Sequence, residues 1–224
     1  MADRLTPPPS VAALRAIAPE IHVLPAGAEL WRIYFHAGPH PSRWNGFRSF
    51  GPTGARFDHQ PPPAKRHRTR AILYASDSGP TSLAEVFQQT RVIDRFADSP
   101  ALAAFMLTRD LQLLDLTGAW PTRAGASMAI NSGSRATARA WSRAIYAAYP
   151  NVEGLRYASS MNANQPAFAL YERARSSLPT AAALDLPLVA HDEFVLQDQL
   201  QELSVAEIVA SRFLQPHVKR LCQA

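Results

Sequence analysis

The sequence predicts an α+β chain built on a mixed, mostly antiparallel sheet with flanking helices. Short runs rich in β-branched and aromatic residues, such as LWRIYF, AILYAS and AFALYE, outnumber the helical patterns. Strands and helices alternate irregularly, without the βαβ period of a doubly wound sheet. The 224 residues are 47% apolar and only 18% charged, which suits a buried core rather than a disordered chain.

The N-terminal stretch carries a stiff PPP lead-in and then a helix-like VAALRAIA. IHVL and LWRIYF follow as strands. From His36 to Arg70 the chain is rich in Gly, Pro and Ser and has no sustained period. An irregular segment of that length inside a compact domain is usually functional or disordered. AILYAS (71–76) is the next strand, and TSLAEVFQQT a helix that Pro80 can begin and Thr81 or Ser82 can cap. FML and LQLLDL are short strands around Arg109 and Asp110. RATARAWSRAIYAAYP is an amphipathic helix with Ala138, Trp141, Ile145 and Ala148 on one face, closed by Pro150 and Asn151. GLRYAS and AFALYE are late strands joined by the polar turn SMNANQP. Beyond Arg175 a loop leads to EFVLQDQL and a helix-like SVAEIVASRFL.

The 23 basic side chains, mostly arginine, against 18 acidic ones give a formal charge of +5. Arginine forks phosphate oxygens, so an anionic partner is favoured, either nucleic acid or a phosphorylated small molecule. Nucleotide composition also produces such a bias. The lone Cys222 rules out an intrachain disulfide framework or a cysteine-based metal site. An uninterrupted apolar leader and a membrane-spanning run are both missing, so a cytoplasmic location is the expectation.

No phosphate-binding glycine loop, dinucleotide fingerprint, zinc-protease helix or serine-hydrolase elbow occurs. His36, His40, His59 and His67 share one irregular segment at spacings that match no metal site. AKRHRTR is the densest basic run, but it lacks the interleaved aromatics that stack on bases. A solvated loop or an anion-facing rim suits it better than nucleic acid. Arg32, in WRIY, is a charge among apolar neighbours and needs a partner or a ligand. Arg56 stands in GARFDH, beside a phenylalanine and two residues after Gly54, which is expected to shape the loop backbone that aims it. Glu85, in SLAE, sits early in a helix, where a favourable dipole interaction is the plain alternative. Ser159, in RYASS, ends a strand and is equally readable as an ordinary turn serine.

In order, WRIY, GARFD, ILYAS with SLAE, LQLLDLT, GLRYAS and AFALYE resemble the RES-domain family over about residues 28–175. On that reading the whole chain, 1–224, is one domain, with an N-terminal extension (1–27) and a C-terminal helical tail (176–224). The resemblance implies an ADP-ribosyltransferase-like split sheet around an NAD cleft. It also implies a toxin that cleaves the nicotinamide–ribose bond of NAD, with no metal and with a helix-turn-helix, Xre-like antitoxin as partner. Matched position by position, Glu85, Arg32 and Ser159 are the catalytic set, and Arg32, Arg56, Tyr74 and Ser159 hold the dinucleotide. Arginine suits the pyrophosphate, and an ionised carboxylate suits the positive charge that develops on the ribose. Tyr74 is expected to stack on nicotinamide or ribose.

The sequence departs from the family pattern in the long segment 36–53, in Ser160 where a basic residue is common, and in the extended tail. Docking on the core is the expectation for SVAEIVASRFL, with homodimer pairing or antitoxin contact as alternatives. Two other readings stand beside the NAD-cleaving toxin: an ADP-ribosyltransferase modifying a protein target, and a basic nucleic-acid-binding module using KRHRTR.

Overall fold

The computed structural model describes residues 5–188 except 89 and 91. Its frame is a sheet in the order β1-β7-β8-β9-β5-β2-β6-β10. The strands are β1 (Ile21–Leu24), β2 (Glu29–Phe35), β5 (Ile72–Ser76), β6 (Pro100–Met106), β7 (Leu111–Asp115), β8 (Gly154–Ala158), β9 (Pro166–Tyr171) and β10 (Leu184–Pro187). All neighbours are antiparallel except β7 and β8, which are parallel. β3 (Phe50–Gly51) and β4 (Lys65–Arg66) form a separate two-stranded ribbon inside the irregular segment. The expected EFVLQDQL and SVAEIVASRFL elements lie outside the described residues.

The sheet has a seam. β2 pairs with β6 over seven residues, from Glu29↔Met106 to Phe35↔Pro100. β5 pairs with β9 over its full length. Between β2 and β5 the described register is the single pair Trp31↔Ser76. Residues 32–35 and 72–75 run away from that rung without zipping. The split sheet of the sequence reading thus takes the form of one strand order with a thin join.

Side-chain alternation distributes the core to both faces of the larger half. Along β9, Ala167, Ala169 and Tyr171 face one apolar cluster, while Phe168 and Leu170 face another. The first cluster is covered by α1 (Val11–Arg15), α3 (Trp120–Ala124), α4 (Ala129–Ser132) and α5 (Arg135–Ala148). In α5 the expected face, Ala138, Trp141, Ile145 and Ala148, is buried. Burying side chains such as Trp141 and Ile145 contributes roughly 1.5–3 kcal/mol each. Ser134 caps α5 by accepting from Thr137 N.

α2 (Gly79–Phe87) packs Leu83, Ala84 and Phe87 against Trp31, Ile33 and Leu102 across the smaller half. Its cap is Ser78, whose hydroxyl accepts from Thr81 N, and not Thr81 or Ser82 as expected. Pro80 sits inside the first turn, so the helix starts earlier than TSLAEV suggests. Ser82 faces inward instead, and it donates to Trp31 O at 2.8 Å while bonding Ser76 Oγ at 2.6 Å. These two contacts rivet α2 to the seam.

Candidate active site

A cleft of about 800 Å³ opens where β2 and β5 part. Arg32 to Phe35 form one lip and Ile72 and Tyr74 the other; Glu85 and Tyr157 also line it. The volume lies in the upper part of the range of small-molecule sites, roughly 300–1,000 Å³.

Glu85 projects from the α2 turn that follows the rivet. Both of its carboxylate oxygens are engaged by hydroxyls: Ser159 Oγ donates to Oε1 at 2.5 Å, and Tyr157 donates to Oε2 at 3.1 Å. Tyr157 and Ser159 stand two apart on one strand and its extension, so period-two alternation aims both the same way. Ser159 is itself fully buried, and its oxygen accepts from the backbone N–H of Met161 and Asn162. The turn after it, with Ala163 and Asn164 at positive φ, curls back so that Asn162 Nδ2 reaches Thr81 Oγ1 at 3.0 Å. Tyr157 is buried against the Phe57 ring, with centroids 4.8 Å apart. Burial, then the Glu85 charge, push its phenol well above the usual range, so it stays a donor. Glu85 remains solvent-exposed within the cleft, held by donors and open to a ligand.

The cations share the cleft with this carboxylate, whose charge acts on Arg56. Arg32 Nη1 donates to the carbonyls of Trp44 at 2.9 Å and Gly46 at 3.4 Å, while its buried Nε–H has no hydrogen-bond partner among the described residues. Burial first, and repulsion from Arg48 after it, bring its pKa down to about 10, with Tyr34 opposing. It is still charged at neutral pH, and among the described residues no salt bridge compensates it. A half-buried guanidinium without a counter-charge is a strong place for an anion. Arg56 Nη1 donates to Gly133 O at 2.6 Å. Burial and Arg135 lower its pKa, while Glu85 pulls the other way.

The structure brings Arg32, Arg56, Tyr74 and Glu85 onto one cleft, with Ser159 directly behind Glu85. Gly54 does not shape the GARFDH loop: its φ is not positive, and a Cβ there would meet nothing within 4 Å. Asp58 does that work. It is fully buried, and it accepts from Arg48 Nη2 at 2.6 Å, Thr53 N at 2.6 Å, Thr53 Oγ1 at 2.8 Å and the Tyr74 hydroxyl at 3.0 Å. The Tyr74 oxygen also accepts from Phe57 N at 3.1 Å, so its hydroxyl is committed and only its ring is offered to the cleft.

Tyr157, Asp58, Arg48 and Asn162 were not singled out from the sequence. Tyr157 carried a signal, since alternation from Ser159 marks it. Asp58 carried a weaker one, a carboxylate beside the apolar Phe57. Arg48 lies in a segment without period, where nothing local foretells its partner.

Behind the loop, His59 is fully buried and its Nε2 lies 3.1 Å from Glu172 Oε2. Its Nδ1 has no partner, which fits the neutral tautomer with the proton on Nε2. Burial lowers the His59 pKa, and Arg70 adds to that, while Glu172 and Asp58 oppose. Glu172 also accepts from the Tyr146 hydroxyl and from Ala71 N at 3.0 Å. Burial pushes its carboxyl up, but the hydrogen bonds from His59, Tyr146 and Ala71 outweigh that and hold it at about 2. Among the described residues no group of three or more His, Cys, Asp and Glu is placed to hold a metal ion. No helix among them is long and apolar enough to cross a membrane.

Comparison with known proteins adds the following. The family model described as RES domain matches residues 29–196. A chain from a crystal structure of the M. tuberculosis MbcT–MbcA toxin–antitoxin complex is similar at 16% sequence identity, with a TM-score of 0.49. The likeness covers 85% of this chain and 94% of that one. No curated protein matches.

Proposed function

Since the chain belongs to the RES domain family, we propose that it is a toxin that cleaves the nicotinamide–ribose bond of NAD. The observation that carries this reading is the pairing of unlike groups in one cleft. Glu85 is gripped by Ser159 and Tyr157, and it shares the cleft with Arg56 and with Arg32, a half-buried guanidinium that forms no salt bridge among the described residues.

NAD offers a pyrophosphate and a cationic leaving group. Arg32 and Arg56, both in the cleft lining, hold the phosphate oxygens. The ring of Tyr74 gives the ribose or nicotinamide an apolar face. As the C1′–N bond breaks, its electron pair moves to the nicotinamide nitrogen and neutralises it, and positive charge grows on the ribose. Glu85, held in place by two O–H donors, stabilises that charge and a ribose hydroxyl. Water then adds at C1′ and its proton leaves to solvent, giving ADP-ribose and nicotinamide. Ser159 and Tyr157 fix the carboxylate. A small helix-turn-helix antitoxin encoded beside the toxin would complete the system.

The test is incubation of the purified protein with NAD labelled in the adenosine half. The expected product is free ADP-ribose or its phosphorylated form, and Glu85→Gln should lower the rate at least 100-fold without unfolding the chain. Undiminished NAD consumption by Glu85→Gln overturns the reading. Label fixed on protein would replace hydrolysis with transfer to a protein target.

A further inference from the structure

Resting on the NAD-cleaving reading, we infer that the cleft is built for a dinucleotide bearing a third phosphate on its adenosine ribose, NADP, in preference to NAD. The argument starts from charge. Arg32, Arg43, Arg48, Arg56, Arg66 and Arg135 line the cleft, and Glu85 is the carboxylate among its lining residues. Of these six only Arg48 forms a salt bridge among the described residues, to Asp58, and Glu85 acts at longer range on Arg56. NAD carries two negative charges on its pyrophosphate and a positive one on its nicotinamide, which leaves most of these guanidiniums unmatched. A ribose phosphate adds a charge of about −1.5 to −2 at neutral pH. Nearby arginine is the known physical means of accommodating that group.

Two of the unmatched arginines belong to one built wall. The β3–β4 ribbon sets Phe50 opposite Arg66, so both side chains leave the same face. His40 stacks on Phe50 with ring centroids 5.7 Å apart and planes at 21°. Phe50, His40, Arg43 and Arg66 all line the cleft. His67 N donates to Ser49 O at 3.0 Å and locks the ribbon. A stacked ring pair beside the exposed Arg66, with the exposed Arg43 in the same cleft lining, suits a purine with a phosphate on the adjoining sugar. The segment 36–53, unassigned from sequence, supplies three of these four residues.

The test compares kcat/KM for NADP and NAD in the intact protein and in the Arg43→Ala/Arg66→Ala double variant. Both side chains are exposed and make no hydrogen bond or salt bridge in the described structure, so the variant should fold. The wild-type ratio should favour NADP at least tenfold, and the double variant should bring it close to one. A ratio at or below one in the wild type, or one unmoved in the variant, overturns the proposal. Binding of each dinucleotide to Glu85→Gln, measured by calorimetry, separates the two readings. Tighter NADP binding there without turnover in the wild type sinks the cleavage reading alone; equal binding sinks this one.

Discussion

Ser159 and Glu85 meet at 2.5 Å, the serine hydroxyl donating to one carboxylate oxygen while two backbone N–H groups hold the serine from behind. The serine is therefore a brace for the carboxylate rather than a nucleophile, because its proton and its lone pairs are already engaged. Ser159→Ala should lower kcat for NAD loss roughly 10- to 100-fold, the cost of removing a hydrogen bond to a charged group. A fall in KM-independent rate with normal dinucleotide binding to the variant is the expected pattern. Loss of binding with unchanged kcat would assign Ser159 to the ligand instead.

Tyr157→Phe removes the second brace and leaves the ring packed on Phe57. Stability should change little, and kcat should fall about tenfold. Steady-state kinetics and thermal unfolding on the same preparation check both halves.

Arg32→Lys keeps a charge but loses the planar fork that lines the cleft. We expect kcat/KM to drop at least tenfold, chiefly through KM. An unchanged KM would remove Arg32 from the phosphate site.

Asp58→Ala leaves Arg48, Thr53 and Tyr74 without their common acceptor. Removing one partner of a buried pair costs about 3 kcal/mol or more. For a chain of this size that lowers Tm by roughly 6–12 °C. Differential scanning calorimetry is the measurement.

Acid should unfold the protein through Glu172 and His59. Glu172 is held at about 2 against an ordinary 4.5, so it contributes stability above pH 4.5 that drains away as pH falls toward 2. At about 1.36 kcal/mol per unit this is about 3 kcal/mol. His59, also lowered, acts in the same direction, its contribution shrinking as pH falls below 6.5. The urea midpoint of the wild type should decline through this window, and Glu172→Gln should start lower and decline less.

Much of this was legible in the chain because periodicity reports burial. The α5 face, the strands and the elements that carry Arg32, Glu85 and Ser159 follow from local pattern, whereas joining those three residues into one site rests on the family resemblance. The seam does not, since Trp31↔Ser76 joins residues whose separate strands look complete. Nor does the Asp58 hub, which depends on Arg48 and Tyr74 arriving from two other segments. GARFDH suggested a loop shaped by glycine, and it is shaped by a buried carboxylate.

The single rung at Trp31 and Ser76 has one more effect. Glu85, Tyr157 and Ser159 stand on or directly beside regular elements, whereas the ribbon wall hangs from the irregular chain between β2 and β5. Insertions there can lengthen or recharge that wall without shifting any strand register. On the proposed reading, chemistry and ligand choice reside on separately variable pieces of one chain, and a relative with a shorter 36–53 segment is expected to keep the reaction and accept a different dinucleotide.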